Sequence, residues 1–209
     1  TTWYISNSGS NTNSGLSTIN AFKDINHALS VSNCGDSLYI ISGTYHEKIQ
    51  AIAICPENNR IVLQGDINSK PLIIGDSIPS SKYAISALGS GYYFRNIKLT
   101  SPYPTQCSQS NQVIVGIGDH FTFDDIIVYN SGYDGIKTYG DCNSNTFPEN
   151  WKVINSEIYD CGLGCPASIV NGDGIDFTQC RNCVIENTII RDNMGHQLQI
   201  KLEAKNVSV

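Results

Sequence analysis

Apolar and polar residues alternate along this chain in short runs, and one such run recurs. Four segments read Tyr92-x-Phe94-x-Asn96-x-x-Leu99, Phe121-x-Phe123-x-Asp125-x-x-Val128, Trp151-x-Val153-x-Asn155-x-x-Ile158 and Cys183-x-Ile185-x-Asn187-x-x-Ile190. Alternation at period two marks a strand with one buried face. Its return at intervals of about thirty residues marks a solenoid, in which each repeat buries its apolar face against its neighbours. The aligned polar column Asn96, Asp125, Asn155 and Asn187 is expected at a bend. There, stacked side chains bond to one another and to the turn backbone, which gives the column a scaffold role.

The remaining elements follow from the same pattern. Trp3 to Ile5 reads as a short strand, followed by the polar loop Ser6–Gly15. Ala21, Phe22, Ile25, Ala28 and Leu29 recur at helical spacing, which predicts an amphipathic helix from Asn20 to Val31 with Asn20 as N-cap. Such a helix covers the open end of a solenoid. Leu38-x-Ile40 opens the first coil and Ile61-x-Leu63 the second. Later coils carry a second strand at a fixed distance from the polar column, as in Ile136-x-Thr138 and Leu198-x-Ile200, while the Asn155 coil has an insertion around Cys161–Cys165. The expected organisation is all-β: a cap over residues 1–34, then a solenoid of about six coils over 35–209, open at its C-terminal end. Lys205–Val209 starts a further repeat, with Val207 and Val209 in the places of Cys183 and Ile185. An uncapped coil exposes strand edges, so head-to-tail self-association into a rod or filament is one expected partnership.

Composition narrows the class. Of the 209 residues 40% are hydrophobic and only 15% charged, there is one Met, and the formal charge is −6. Few long helix-forming runs and many turn formers argue against a helical solenoid. The acidic balance, with no basic stripe, argues against nucleic acid, and no apolar run reaches the ~20 residues of a membrane span. Eight cysteines point to an oxidising compartment and disulfides, with Cys34–Cys55 and Cys161–Cys165 as the preferred pairs. A zinc site built from Cys161-x-x-x-Cys165 and Cys180-x-x-Cys183 is the alternative, although Cys183 falls in the buried column of Tyr92, Phe121 and Trp151. A start at Thr1 without a leader and one sequon, Asn206-Val207-Ser208, fit a mature secreted glycoprotein.

The opening residues Trp3-Tyr4-Ile5-Ser6, Gly9-Ser10 and Ser14-Gly15, then Phe22-x-x-Ile25-x-x-Ala28-Leu29, Gly35-Asp36, Tyr39 and Gly43-Thr44-Tyr45-x-Glu47 resemble the amino end of secreted pectin-lyase-like proteins. The resemblance implies a right-handed parallel β-helix and, for many members, action on acidic polysaccharides. Asn171-Gly172-Asp173-Gly174-Ile175-Asp176 looks like the Asn-Thr-Asp-Gly stretch of the polygalacturonase family, which would make Asp173 a catalytic carboxylate. That family has a Gly-Asp-Asp one coil later, whereas this chain has Met194-Gly195-His196-Gln197, so the paired carboxyls of a glycosidase are missing.

Gly195-His196-Gln197-Leu198-Gln199-Ile200-Lys201 looks like the lysine-bearing strand of β-helix polyuronate lyases. β-Elimination needs a base for the C5 proton and a cation to hold the uronate carboxylate. Aligned second strands place Lys137, Asp176 and Gln199 in one outward column, Tyr139, Thr178 and Lys201 in the next, and Asp134, Asp173 and His196 at the preceding turn. Lys201, Lys137, Tyr139 and His196 are therefore the candidate catalytic residues, and Gln199, Arg191 and Tyr133 the candidate substrate contacts. Asp134, Asp173 and Asp176 are candidate ligands for Ca²⁺, a cation that takes oxygen donors and would bridge an acidic chain to an acidic polymer. The functional expectation is a calcium-assisted lyase acting on an acidic polysaccharide or other extracellular glycan. The alternatives are a structural or adhesive rod, and a non-catalytic glycan-binding module using Tyr92, Tyr93, Tyr129, Tyr133 and Tyr139.

Overall fold

The computed structural model describes residues 1–75, 82–140, 146–166 and 171–209. All strand pairs within its three sheets are parallel, and the chain visits the sheets in turn, as a parallel β-helix does. The first sheet stacks Thr2–Ile5, Ser37–Ile40, Ile61–Gly65, Ser90–Arg95, Asp119–Asp124, Lys152–Ile154 and Val184–Glu186. The second stacks Thr44–His46, Leu72–Ile74, Lys98–Thr100, Ile127–Ser131, Glu157–Cys161 and Ile189–Arg191. The third stacks Ile49–Ala51, Ile85–Ala87, Ile114–Gly116, Ile136–Thr138, Ile175–Thr178 and Leu198–Lys201. Each coil thus has three strands, not the two expected. The strand read from sequence as the second is the third, and the short strand after each polar position was too brief to show alternation of its own.

The repeated apolar columns build the interior. Tyr92 stacks on Phe121 with centroids 5.4 Å apart, Phe94 on Phe123 at 5.3 Å, and Trp151 tilts against Phe121 at 5.2 Å. All five rings are at most 1% exposed, and the Trp151 indole donates to the Gly118 carbonyl at 2.6 Å. Burying such side chains at about 25 cal/mol per Å² makes this ladder a main source of stability.

The polar column marks a backbone requirement. Asn96, Asp125, Asn155 and Asn187 all have positive φ, between 47° and 56°, the left-handed region that Asn and Asp tolerate best among residues with a Cβ. Two parallel columns share this conformation. Asn130, Asp160 and Asp192 close the second-sheet strands, and Gly91, His120, Asn150, Asn182 and Asn206 open the first-sheet strands. Direct stacking is partial: Asn187 Nδ2 donates to Asn155 Oδ1 at 3.4 Å, but Asn155 Nδ2 donates to Asp124 Oδ1 at 2.8 Å instead of to Asp125.

The helix is shorter than expected, Ile25–Val31 with Asp24 at the N-cap. Phe22 bridges to Ile5 and exchanges backbone bonds with Tyr4 and Ser6, so residues before Asp24 follow the first strand. The cap is supplied from the first coil. Glu47 accepts from the Ile25 and Asn26 amides at 2.8 and 3.0 Å and from Asn26 Nδ2 at 2.8 Å. Cys34 is bonded to Cys55 as expected, but Cys165 pairs with Cys107, and Cys161 is a buried free thiol. The Cys107–Cys165 bond ties the insertion of the Asn155 coil to the loop between Lys98–Thr100 and Ile114–Gly116, and Cys161 is left unpaired because it ends a second-sheet strand with its side chain in the core. Cys180 and Cys183 form a third disulfide, which removes the thiolates of the zinc alternative. Cys142 lies outside the described residues. Lys205 and Ser208 pair in parallel with Arg181 and Val184, in the register expected for a further repeat.

Candidate functional site

The third sheet brings the sequence-derived columns into register. Lys137 lies opposite Asp176 and Asp176 opposite Gln199, while Thr178 lies opposite Lys201. The turn residues stack before these strands, since the Gly135 amide donates to the Asp173 carbonyl and the Gly174 amide to that of His196. The columns are not uniformly outward, however. Asp134, Asp173 and Asp176 are each at most 2% exposed and Lys137 9%, whereas the His196 and Lys201 side chains are 49% and 37% exposed. The face therefore has a buried acidic layer beneath a half-exposed basic one.

Asp176 is the centre of that layer. Its Oδ2 accepts from Lys137 and, at 2.8 Å, from Lys201, and its Oδ1 accepts from Thr178 Oγ1 at 2.8 Å. Asp173 Oδ1 accepts the His196 amide at 2.7 Å and lies 3.0 Å from His196 Nδ1. A carboxylate accepts, so the network assigns the ring proton to Nδ1 and leaves Nε2 as the acceptor nitrogen of a side chain that is 49% exposed. Gln199 supports Lys201, its Oε1 accepting from Lys201 at 2.6 Å. Its Nε2 lies 3.4 Å from His196 Nδ1, but with that nitrogen donating to Asp173 the two groups are both donors and make no hydrogen bond. Asp134 Oδ1 accepts the Gly172 and Asp173 amides at 3.3 and 3.0 Å, and Oδ2 accepts from Gln112 Nε2 at 3.1 Å.

Electrostatics divides the roles. Burial pulls the Lys201 ammonium down, but its bond to Asp176 and the surrounding carboxylates outweigh this and raise its pKa overall. Lys201 is thereby held as a cation and disfavoured as a base. Burial pushes the Tyr139 phenol up to about 12, and its hydroxyl donates to Gln112 Oε1 at 2.9 Å, so Tyr139 is a fixed donor and no base. Burial also raises Asp134 and Tyr133.

The calcium expectation does not fit this donor set. Two lysines and a hydroxyl already bond to Asp176, Asp134 faces backbone amides and Gln112, and Asp173 faces His196. Lys137 Nζ, 3.9 Å from Asp134 Oδ2, adds a positive charge between the carboxylates that a second cation would have to share. Among the described residues no three His, Cys, Asp or Glu side chains are grouped to hold a metal ion.

The other candidates divide by position. Gln199 and Tyr133 belong to the face, Tyr133 being close enough to feel Lys201, Asp134 and Asp173. Arg191 does not: it lies on the second sheet, with its guanidinium 4.4 Å from the Tyr159 ring centre and 2.8 Å from Glu157. Tyr92 is a core residue, which withdraws it from a sugar-stacking surface, whereas Tyr129 stacks on Tyr159 on the second sheet, away from the third-sheet face. Gln112 was missed, although its signal was present. It stands two residues before Ile114, as Asp134, Asp173 and His196 stand before Ile136, Ile175 and Leu198, and those four strand residues are in register.

The fold is that of the pectin-lyase-like parallel β-helix proteins. An alginate lyase from Paenibacillus sp. str. FPU-7 matches with a TM-score of 0.71 and 18% identity, over 88% of this chain and 60% of that one. Pectate lyase Pel9A matches with a TM-score of 0.64 and 18% identity, over 90% and 52%. A rhamnogalacturonan lyase matches with a TM-score of 0.60 and 15% identity, over 99% and 62%. The chain thus spans between half and two thirds of these structures, and identities this low establish the fold alone. No protein-family model matches the sequence, and no curated protein matches it.

Proposed function

We propose that the protein is an extracellular enzyme that cleaves an acidic polysaccharide by β-elimination, without a metal ion. The observation that carries this reading is the pairing, on one half-exposed face, of an Asp173-oriented His196 with an Asp176-held Lys201. His196 Nε2 takes the C5 proton of a uronate, and the C–H electron pair forms the C4–C5 double bond as the C4–O4 bond breaks. The leaving oxygen takes a proton from the Tyr133 hydroxyl, which burial keeps protonated beyond the ordinary tyrosine range. Lys201 pairs with the uronate carboxylate as negative charge develops on it. Lys137 balances the buried aspartates and fixes Asp176. The similar folds of an alginate lyase, a pectate lyase and a rhamnogalacturonan lyase support the substrate class, and the three disulfides support an extracellular site of action.

A second reading, glycan binding without turnover, is favoured by the internal pairing of the three carboxylates with lysine, histidine, glutamine and backbone groups. Mass spectrometry after incubation with polygalacturonate and alginate separates the two. Elimination yields fragments whose masses sum to that of the parent, hydrolysis adds one water per cut, and binding alone leaves the polymer whole.

A further inference from the structure

A second cluster of charge lies on the outer side of the first sheet, away from the face described above. Glu57, half exposed on the short 3-10 turn Glu57–Asn59, is met by cationic or protonatable groups from three separate parts of the chain. Arg60 Nη2 donates to its Oε1 at 2.6 Å, Lys152 Nζ is 4.0 Å from the same oxygen, and His120 Nδ1 is 3.5 Å from Oε2. Arg60 is held in place by two more bonds, to the Glu57 carbonyl at 2.9 Å and to the buried Thr122 hydroxyl at 2.7 Å. His120 Nδ1 is buried and, among the described residues, has no hydrogen-bond partner. Besides Glu57, the acidic residues around it are engaged elsewhere: Asp119 accepts the Glu149 amide at 2.8 Å, and Glu149 faces Arg181 at 3.8 Å.

Two cations and an unsatisfied ring nitrogen around one half-exposed carboxylate are a local reversal of charge on a chain of formal charge −6. The geometry already accepts a carboxylate, because Glu57 supplies one. We infer that Arg60, His120 and Lys152 form an anion subsite for a carboxylate of an acidic polysaccharide, and that Glu57 occupies it as an internal stand-in until the polymer displaces it. The choice of polymer rests on the polyuronate reading of the other face; the anion chemistry rests on these residues alone. A guanidinium fork and an ammonium suit carboxylate recognition. An internal competitor lowers apparent affinity by the fraction of time it leaves the subsite open.

The test measures binding of saturated oligogalacturonate by calorimetry in a His196→Ala/Lys201→Ala background, which removes both the proposed base and the proposed cation of the other face. Glu57→Gln is expected to tighten binding about tenfold. Lys152→Gln, at a half-exposed position, is expected to weaken it about tenfold while the melting temperature stays unchanged. Methyl-esterified oligogalacturonate is expected to lose the Glu57→Gln gain. Unchanged affinity in both variants, or equal binding of the esterified oligomer, overturns the inference. If these affinity changes appear in a protein that never cleaves polyuronate, the enzymatic reading fails and the subsite stands.

Discussion

The Lys201 ammonium sits 2.8 Å from Asp176 Oδ2 across one rung of the third sheet, and Lys137 donates to the same oxygen from the other side. With Asp176 only 1% exposed, removing it strands two cations, one of them buried. Asp176→Ala is therefore expected to lower the unfolding free energy by about 3–5 kcal/mol in urea titrations. Lys137→Met should cost less, about 1–3 kcal/mol, because Lys201 still compensates the carboxylate. Equal, small effects from both would show that the network is solvated.

The raised pKa of Lys201 sets an alkaline limit. The ammonium is favoured in the folded state, so its contribution to stability is fully present below the ordinary value of 10.5. It is lost as pH rises through the higher folded value. Wild-type stability should then fall more steeply than that of Lys201→Met above about pH 10.5, as read from denaturation midpoints across the alkaline range. Parallel curves would remove the charge from the account.

The polar columns make opposite predictions for two small substitutions. If Asn187 is needed for its positive φ of 47°, Asn187→Gly is near neutral, whereas Asn187→Ala costs about 1 kcal/mol. If its 3.4 Å bond to Asn155 mattered more, both variants would lose the same amount. Melting temperatures of the pair decide the matter.

Cys161 is fully buried, and burial pushes its thiol well above the ordinary range. Thiolate is the reactive form. Iodoacetamide should therefore leave Cys161 unmodified in the native protein and alkylate it fully after denaturation, as peptide mapping would show. Rapid native labelling would mean that the insertion beyond Cys161 opens.

The repeat could be read from sequence because inward columns must stay apolar in every coil, and Tyr92, Phe121, Trp151 and Cys183 hold that place. The third-sheet columns were legible for the same reason, since parallel register carries Lys137, Asp176 and Gln199 past one another. The burial of Asp134, Asp173 and Asp176 was not legible. It depends on which lysine, glutamine and backbone groups meet each carboxylate across coils. The same limit hid the Glu47 cap on the helix: its partners Ile25 and Asn26 lie a coil away, while Asn20 offered a plausible local cap. Disulfide pairing failed where sequence proximity misled, because Cys107 and Cys165 are far apart in the chain yet adjacent between insertions.

In the proposed elimination His196, oriented by Asp173, removes the uronate proton while Lys201 supplies the positive charge. The direct measurement is the rate of unsaturated product formation from polygalacturonate and alginate in excess chelator, for the wild type and for His196→Ala. Product should form despite the chelator, and His196→Ala, still folded by circular dichroism, should be slower by about 10²-fold or more. No product from either polymer, or a rate that His196→Ala leaves unchanged, would contradict it.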